Sequence, residues 1–561
     1  MHTKSYQMKI KTLLLFSFCI FILSCQTKEE AVQIKMKEVP FHWNAATIYF
    51  LLTDRFHNAD KTNDVHFERK EKTGLLRGFE GGDIKGVTEK IKDGYFTELG
   101  VNAIWITPIV EQIHEGTDEG TGKTYAYHGY WAKDWTSLDP NFGTKADLKE
   151  LVEVAHENNI RILLDAVVNH TGPVTEKDEV WPESWVRTSP TCTYENFETT
   201  VTCTLVDNLP DIKTESDENV NLPPHLIEKW KSEGRYDEEV AELDAFFEET
   251  GYPRAPRFYV MKWLSDYISD FGIDGYRVDT VKHAEPFVWQ EFKQICDRAF
   301  AKWKNENPDK IMDEEFYLLG EVYNYAISHQ KEFDFGNKKV NYFDDAFHSL
   351  INFEFKWNAL QQDYETHFNR YADELASTFE TYGIVNYLSS HDDGQPFDPK
   401  RVKNKEAANR LLLSPGTAQI YYGDESARAL EIEGTVGDAT LRSFMNWEEI
   451  ENLPEKQEAL AYWQKLGKFR ANHPAIGAGK HKQLQEKPYV FVRSFVDDDY
   501  QDQVIIALDY SDQEKQINVK EIFNDDDILY DAFSEQQTKV INGTVKFSSP
   551  FETVLLEKLN Y

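Results

Sequence analysis

Eight short β-rich runs, each followed by a helix-like pattern, constrain the fold of this chain more than any other feature. The sequence predicts strands at 47–52, 102–107, 160–168, 272–278, 317–321, 350–353, 384–390 and 418–422. Alternation of this kind is the signature of parallel βα units, and eight of them match a closed (β/α)8 barrel. An open doubly wound sheet is the structural competitor, but no Gly-rich nucleotide loop follows the first run. The expected fold class is therefore α/β, a TIM barrel. It carries a loop-rich insert after strand 3, rich in Pro, Asp, Glu, Thr and Trp with little regular period, and a C-terminal antiparallel β-sandwich. The boundaries read as barrel 45–168 and 256–476, insert 169–255, and C-terminal β domain 477–561.

The first 25 residues read as an export signal. Lys4, Lys9 and Lys11 precede an apolar run from Leu13 to Leu23 that is too short to span a membrane. The run ends Leu23-Ser24-Cys25, which resembles a bacterial lipobox with Cys25 as the lipidated residue. Residues 26–44 form a linker whose start, Gln26-Thr27-Lys28-Glu29-Glu30, resembles an acidic surface-export tag. The expected location is the outer membrane, reached through a lipid anchor alone. Cys192 and Cys203 sit close together in the loop-rich insert and suit a local disulfide outside the cytoplasm, whereas Cys296 reads as a buried thiol. A formal net charge of −36 repels nucleic acid and leaves neutral ligands and divalent cations as compatible partners. With 13 Trp, 28 Tyr and 36 Phe, the chain has rings beyond those a core needs, and these could stack on sugar faces.

In such a barrel, reactive groups sit where strands end and loops begin. The third run ends Asp165-Ala166-Val167-Val168-Asn169-His170, and the fourth ends Arg277-Val278-Asp279 and continues through Lys282 and His283. The fifth ends Gly320-Glu321, and the seventh ends Ser390-His391-Asp392-Asp393. Glycoside cleavage needs two carboxyl groups flanking the scissile bond, and Asp279 and Glu321, on adjacent strands, are the natural pair. Arg277 lies two residues before Asp279 and so shares its face; its charge favours an ionised Asp279. Glu321 needs surroundings that keep it protonated. Retention of configuration requires the two carboxyls about 5–5.5 Å apart. Taken singly, a strand-end Asp is also a helix cap and a lone His a structural residue; four such ends in chain order make coincidence a poor account.

The strings DAVVNH, GYRVDTVKH, GEVY and SSHDD resemble the four signature regions of the α-amylase family, glycoside hydrolase family 13. HGYW at 128–131, LPDI at 209–212, GGDIKGV at 81–87 and GTAQIYYGDES at 416–426 are similar to further family segments, and TDRFHNADKTND, YAYHGYWAKDW, LPDIKTES, YYGDESAR and FRANHPAIGAGK resemble the periplasmic α-amylases of Gram-negative bacteria most. The resemblance implies Asp279 as nucleophile, Glu321 as general acid/base and Asp392 as the third carboxylate. It implies His128, Tyr130, His170, Arg277 and His391 as sugar contacts, with Lys282 and His283 on the leaving-group side. It implies a Ca²⁺ between barrel and insert held by Asn169, Asp211 and the main-chain carbonyl of His283, with no acid at Thr200-Val201-Thr202 to supply a fourth ligand. A second cluster, Asn58, Asp60, Asn63, Asp64, Gly81 and Asp83, resembles an N-terminal calcium loop, with an Asx-rich turn as the alternative. The substrate implied is an α-glucan, with other surface glucan-uptake proteins as further partners. Transglycosylases, cyclomaltodextrinases and debranching enzymes share these regions, and the alternative of another class is a non-catalytic glucan-binding lipoprotein, of a kind that lacks one or more of the three carboxylates this chain keeps.

Overall fold

The computed structural model describes residues 39–559 apart from 119, 309–313, 498 and 499. The export signal, Cys25 and the first part of the linker lie outside the described residues. All eight expected barrel strands are present: β1 (Thr47–Leu51), β2 (Ala103–Ile106), β3 (Arg161–Ala166), β4 (Gly275–Val278), β5 (Tyr317–Gly320), β6 (Ser349–Asn352), β7 (Gly383–Tyr387) and β8 (Thr417–Tyr421). They pair in sequence order, all parallel, and β8 closes back on β1 with Thr47 opposite Ala418. Every residue of these strands is buried. Helices cover one face and barrel-filling side chains the other, so the strands read as continuous rather than alternating apolar runs.

The helices start and stop where side-chain chemistry dictates. Asp83 caps the helix Ile84–Lys92 by accepting from Gly86 N, and Thr144 with Asp147 forms a capping box on Lys145–Glu157. Proline opens the helices Pro256–Phe271, Pro286–Glu306 and Pro454–Asn472. Gly272 ends the first of these at φ +71°, turning the chain into β4, and a Cβ there would lie 2.0 Å from the Trp303 ring.

The connection from β3 to β4 is less irregular than its composition suggests. Ahead of Pro256–Phe271 it contains the short helix Glu198–Val201 and two longer ones, Pro224–Glu233 and Tyr236–Thr250, beside a two-stranded pairing of Val186–Arg187 with Asp211–Ile212. The helix Tyr236–Thr250 buries only Leu243 and Phe247, so its apolar stripe is too narrow to register as a period. A disulfide joins Cys192 to Cys203 in this connection, and Cys296 is a buried free thiol.

At the C-terminus lie β9 (Lys480–Gln485), β10 (Tyr489–Asp497), β11 (Tyr500–Leu508), β12 (Glu514–Asn518), β13 (Ile528–Asp531), β14 (Gln536–Lys539), β15 (Thr544–Ser548) and β16 (Val554–Lys558). Six of these form one sheet in the order β9-β10-β11-β16-β13-β14, and β12 pairs with β15. Alternation along β10 and β11 serves two cores. Phe491, Val504, Ile506 and Leu508 join the main core, while Val490, Val492, Ile505 and Ala507 pack against Ile517 and Val545.

Replacing Gly272 by Ala should destabilise the protein by about 2–4 kcal/mol, through a left-handed backbone and a clash with Trp303. Denaturant unfolding checks this; an unchanged midpoint would show that Trp303 yields freely.

Candidate active site

Four strand ends bring carboxylates to one mouth of the barrel, and one buried guanidinium gathers three of them. Arg277, third residue of β4, is 1% exposed. Its Nη1 lies 2.9 Å from Asp165 Oδ1 and 2.7 Å from Asp279 Oδ1, and its Nη2 lies 3.0 Å from Glu321 Oε1. Register places the first partner, because Asp165 is paired with Arg277 across β3 and β4. Pleating places the second, two residues on. The third stands just past β5, where Glu321 N donates to Val278 O at 3.0 Å. Asp165 accepts two more hydrogen bonds on Oδ2, from Trp105 Nε1 at 3.0 Å and Tyr130 Oη at 2.9 Å.

Glu321 is displaced toward its neutral form. Burial pushes it up to about 8; Arg277 opposes this, and the charges of Asp279 and Asp392 add to it. Thr280 holds the side chain in place: its backbone sits in the left-handed region at φ +51°, uncommon for a β-branched residue. From there its N–H donates to Glu321 Oε2 at 3.0 Å. Asp392 goes the other way. Desolvation would raise it, but His391 and Arg442 outweigh that and hold it well below the usual carboxylate range. Arg442 Nη2 donates to Asp392 Oδ1 at 2.6 Å, and His391 Nε2 lies 2.9 Å from Oδ2. The Asp392 side chain is nevertheless 42% exposed, so it faces the open end of the site.

Tyr130 organises the histidines. Its ring lies parallel to His391 at 5.4 Å and to His128 at 5.9 Å. Burial lowers all three imidazoles, His128, His170 and His391, which favours their neutral forms. His128 Nδ1 accepts from Tyr130 N at 3.1 Å, which leaves its proton on Nε2. His170 Nε2 donates to Tyr130 O at 3.2 Å, and the Nδ1 atoms of His170 and His391 are buried with no partner in the protein. Lys282 Nζ donates to Tyr323 O at 3.2 Å beside Glu321. The ring of His283 is turned toward the β3–β4 connection, with Nδ1 bonded to Thr200 O at 2.9 Å. The structure thus gathers nine of the ten expected catalytic and sugar-contact residues at one mouth, with the His283 ring turned aside, while Arg442, Trp105 and the hydrogen bonds of Asp165 leave no local sign in the sequence. Asp165 was visible as a strand-end acid, but its partner follows only from register.

The donor set at Asn169 and Asp211 fits calcium chemistry. Their Oδ1 atoms are buried without a hydrogen-bond partner in the protein, while Asp211 Oδ2 pairs with Arg187 Nε at 3.1 Å. Unpartnered amide and carboxylate oxygens are hard donors. Among the described residues no three His, Cys, Asp or Glu side chains converge as a metal cluster, and this set contains a single carboxylate. In the N-terminal loop, Asp60 accepts from Thr62 N and pairs with Lys85 at 2.6 Å, and Asp83 accepts from Gly86, Ala59 and Asp60. That is an Asx-turn network, inside which the Oδ1 atoms of Asn58 and Asn63 stay unpartnered. Asn58 Nδ2 donates to Asp64 Oδ1 at 2.8 Å, and Gly81, at φ +90°, leaves the room that both occupy.

An eight-stranded parallel barrel with a carboxylate pair on one guanidinium defines the class, a barrel glycoside hydrolase. The α-amylase catalytic-domain family matches residues 50–452. The periplasmic α-amylase of Escherichia coli K12 is 35% identical over 517 residues, covering 82% of this chain and 72% of that protein. The chain therefore belongs to the α-amylase family. The cyclomaltodextrin glucanotransferase of Geobacillus stearothermophilus is 29% identical, covering 88% of this chain and 63% of that protein, so the chain spans less than two thirds of its length. The crystal structure of an Anoxybacillus α-amylase superposes with a TM-score of 0.62 at 22% identity, covering 93% of this chain and all of that one; this likeness concerns the fold.

If Asn169 and Asp211 hold calcium, prolonged chelation should lower the melting temperature, and added Ca²⁺ should restore it. An unchanged melting curve after exhaustive chelation would rule the ion out as a structural element.

Proposed function

We propose that this chain cleaves internal α-1,4-glucosidic bonds of starch or maltodextrins with retention of configuration. The observation that carries the reading is the pair of carboxyls that Arg277 holds together, Asp279 at 2.7 Å and Glu321 at 3.0 Å, with Glu321 displaced toward its neutral form by burial. Asp279 attacks the anomeric carbon while Glu321 gives its proton to the departing glycosidic oxygen. Glu321, now ionised, takes a proton from water, and the resulting attack on the glycosyl–Asp279 ester releases the sugar and regenerates both groups. Asp392, kept ionised by Arg442 and His391, stabilises positive charge developing on the sugar ring. Tyr130 stacks beneath the ring, His128, His170 and His391 bond its hydroxyls, and Lys282 and His283 border the departing chain.

In the same reading Asn169, Asp211 and the His283 carbonyl would hold a Ca²⁺, whose charge would tie the insert to the barrel. The division into barrel (45–168, 256–476), insert (169–255) and C-terminal domain (477–561) belongs to this proposal, as does export as a lipoprotein anchored through Cys25. The similarity to a periplasmic α-amylase supports export. A second reading is transglycosylation or action on cyclodextrins, favoured by the similarity to cyclomaltodextrin glucanotransferases. Soluble starch separates them: linear maltodextrins support hydrolysis, and cyclic products alone would sink it.

Glu321→Gln should lower kcat by about 10³-fold without loss of folding. Because the protonated acid is the active form, kcat/KM should fall as pH rises through about 8. Unchanged turnover in the variant would remove Glu321 from the mechanism. Cys25→Ala should shift the protein from the membrane to the soluble fraction; continued sedimentation with membranes would refute the anchor.

A further inference from the structure

A cleft of about 910 Å³ lies on the outside of the barrel, against the C-terminal sheet, and shares no residue with the candidate active site. Its walls come from the helices Tyr364–Ser377, Asn404–Leu412 and Pro454–Asn472 and from the segments around Asp509, Phe533 and Phe551. Two features mark it as more than a seam between packed elements.

The first is Arg410. It is 6% exposed, yet its Nε and Nη1 have no hydrogen-bond partner in the protein. Glu406 Oε1, the nearest carboxylate oxygen, is 3.7 Å from Nε, which balances charge but is too long for a hydrogen bond. The guanidinium lies 4.0 Å over the ring of Tyr364, which fixes its plane. Buried N–H groups without acceptors are costly unless a ligand supplies the oxygens. The second is a row of rings. Tyr462 meets Phe533 edge-on at 5.3 Å, Phe533 meets Phe551 at 5.2 Å, and Phe551 is 42% exposed at the end of the row.

Charge narrows the ligand. Glu406, Glu458, Asp509 and Glu552 line the cleft with Asp363, against Lys405, Arg410 and Lys465. Acids outnumber bases, in a chain of net charge −36, so an anion is disfavoured. The complement is a neutral ligand with apolar faces for the rings, acceptors for Arg410 and hydroxyl donors for the carboxylates. We propose that this cleft is an accessory site for a malto-oligosaccharide segment, holding the polymer while a different stretch of chain enters the catalytic mouth. This rests on the α-glucan reading of the active site.

The test uses the full chain carrying Glu321→Gln, so that ligand is not consumed. Electrophoresis through gels containing soluble starch measures retention, with Phe551→Ala and Arg410→Gln introduced separately. Each should weaken retention about fivefold, the effect of losing one stacked ring or its donor. In the otherwise native chain the same substitutions should leave kcat/KM on maltoheptaose within about twofold and lower adsorption to starch granules. Equal retention with and without the substitutions would overturn the proposal, as would a parallel loss on maltoheptaose, which would place the effect in the catalytic groove. Phe551 is exposed, so its variant decides the matter if Arg410→Gln does not fold. A chain that hydrolyses no α-glucan but whose retention depends on Phe551 would refute the catalytic reading and leave this one standing.

Discussion

The buried guanidinium of Arg277 is the interaction on which the rest of this structure depends. A cation taken out of water must be compensated at close range, and removing a partner from a buried pair costs about 3–5 kcal/mol. Here the compensation comes from Asp165, Asp279 and Glu321, carried by three adjacent strands. Only a parallel sheet with β3, β4 and β5 side by side brings those three residues within reach of one side chain. The barrel places the arginine, and the arginine in turn fixes which rotamers the carboxylates adopt. Fold and site are therefore one electrostatic arrangement.

A shared cation would by itself push every carboxylate the same way, so the asymmetry must come from the other partners. Glu321 meets Nη2 at 3.0 Å and also feels the charges of Asp279 and Asp392. Burial then decides for Glu321 and raises it. Asp392 lies at the open end, where Arg442 and His391 act on it as well, and it stays ionised. Two groups of similar chemistry are thus driven to opposite protonation states by neighbours from different loops. A neutral Glu321 suits proton donation, and an ionised Asp392 suits stabilisation of positive charge on a sugar ring.

How much of this could be read in the sequence follows from where each signal resides. The barrel strands were legible because both their faces are buried, which writes each as an unbroken apolar run ending in a polar group. The insert helix Tyr236–Thr250 was illegible for the converse reason, since two buried residues, Leu243 and Phe247, make too narrow a stripe. Arg277 and Asp279 were legible as a pair through a period of two. Arg442 was not: it reaches Asp392 from 50 residues downstream, in a segment with no periodic pattern. Long-range polar partners leave no local trace, and only topology brings them together.

The C-terminal sheet shows the same coupling between pattern and site at a second place. Because β10 and β11 send alternate residues into two different cores, their apolar run is nearly continuous and neither face is free. A sheet anchored on both faces cannot slide against the barrel without exposing one core to water. The wall that carries Asp509, Phe533 and Phe551 is therefore fixed relative to Tyr364 and Arg410 by hydrophobic burial on both faces of that sheet. A preformed wall loses little conformational entropy when a ligand arrives. Unpartnered donors on Arg410 opposite a rigid aromatic row therefore suit a ligand that brings oxygens to the guanidinium and an apolar face to the rings.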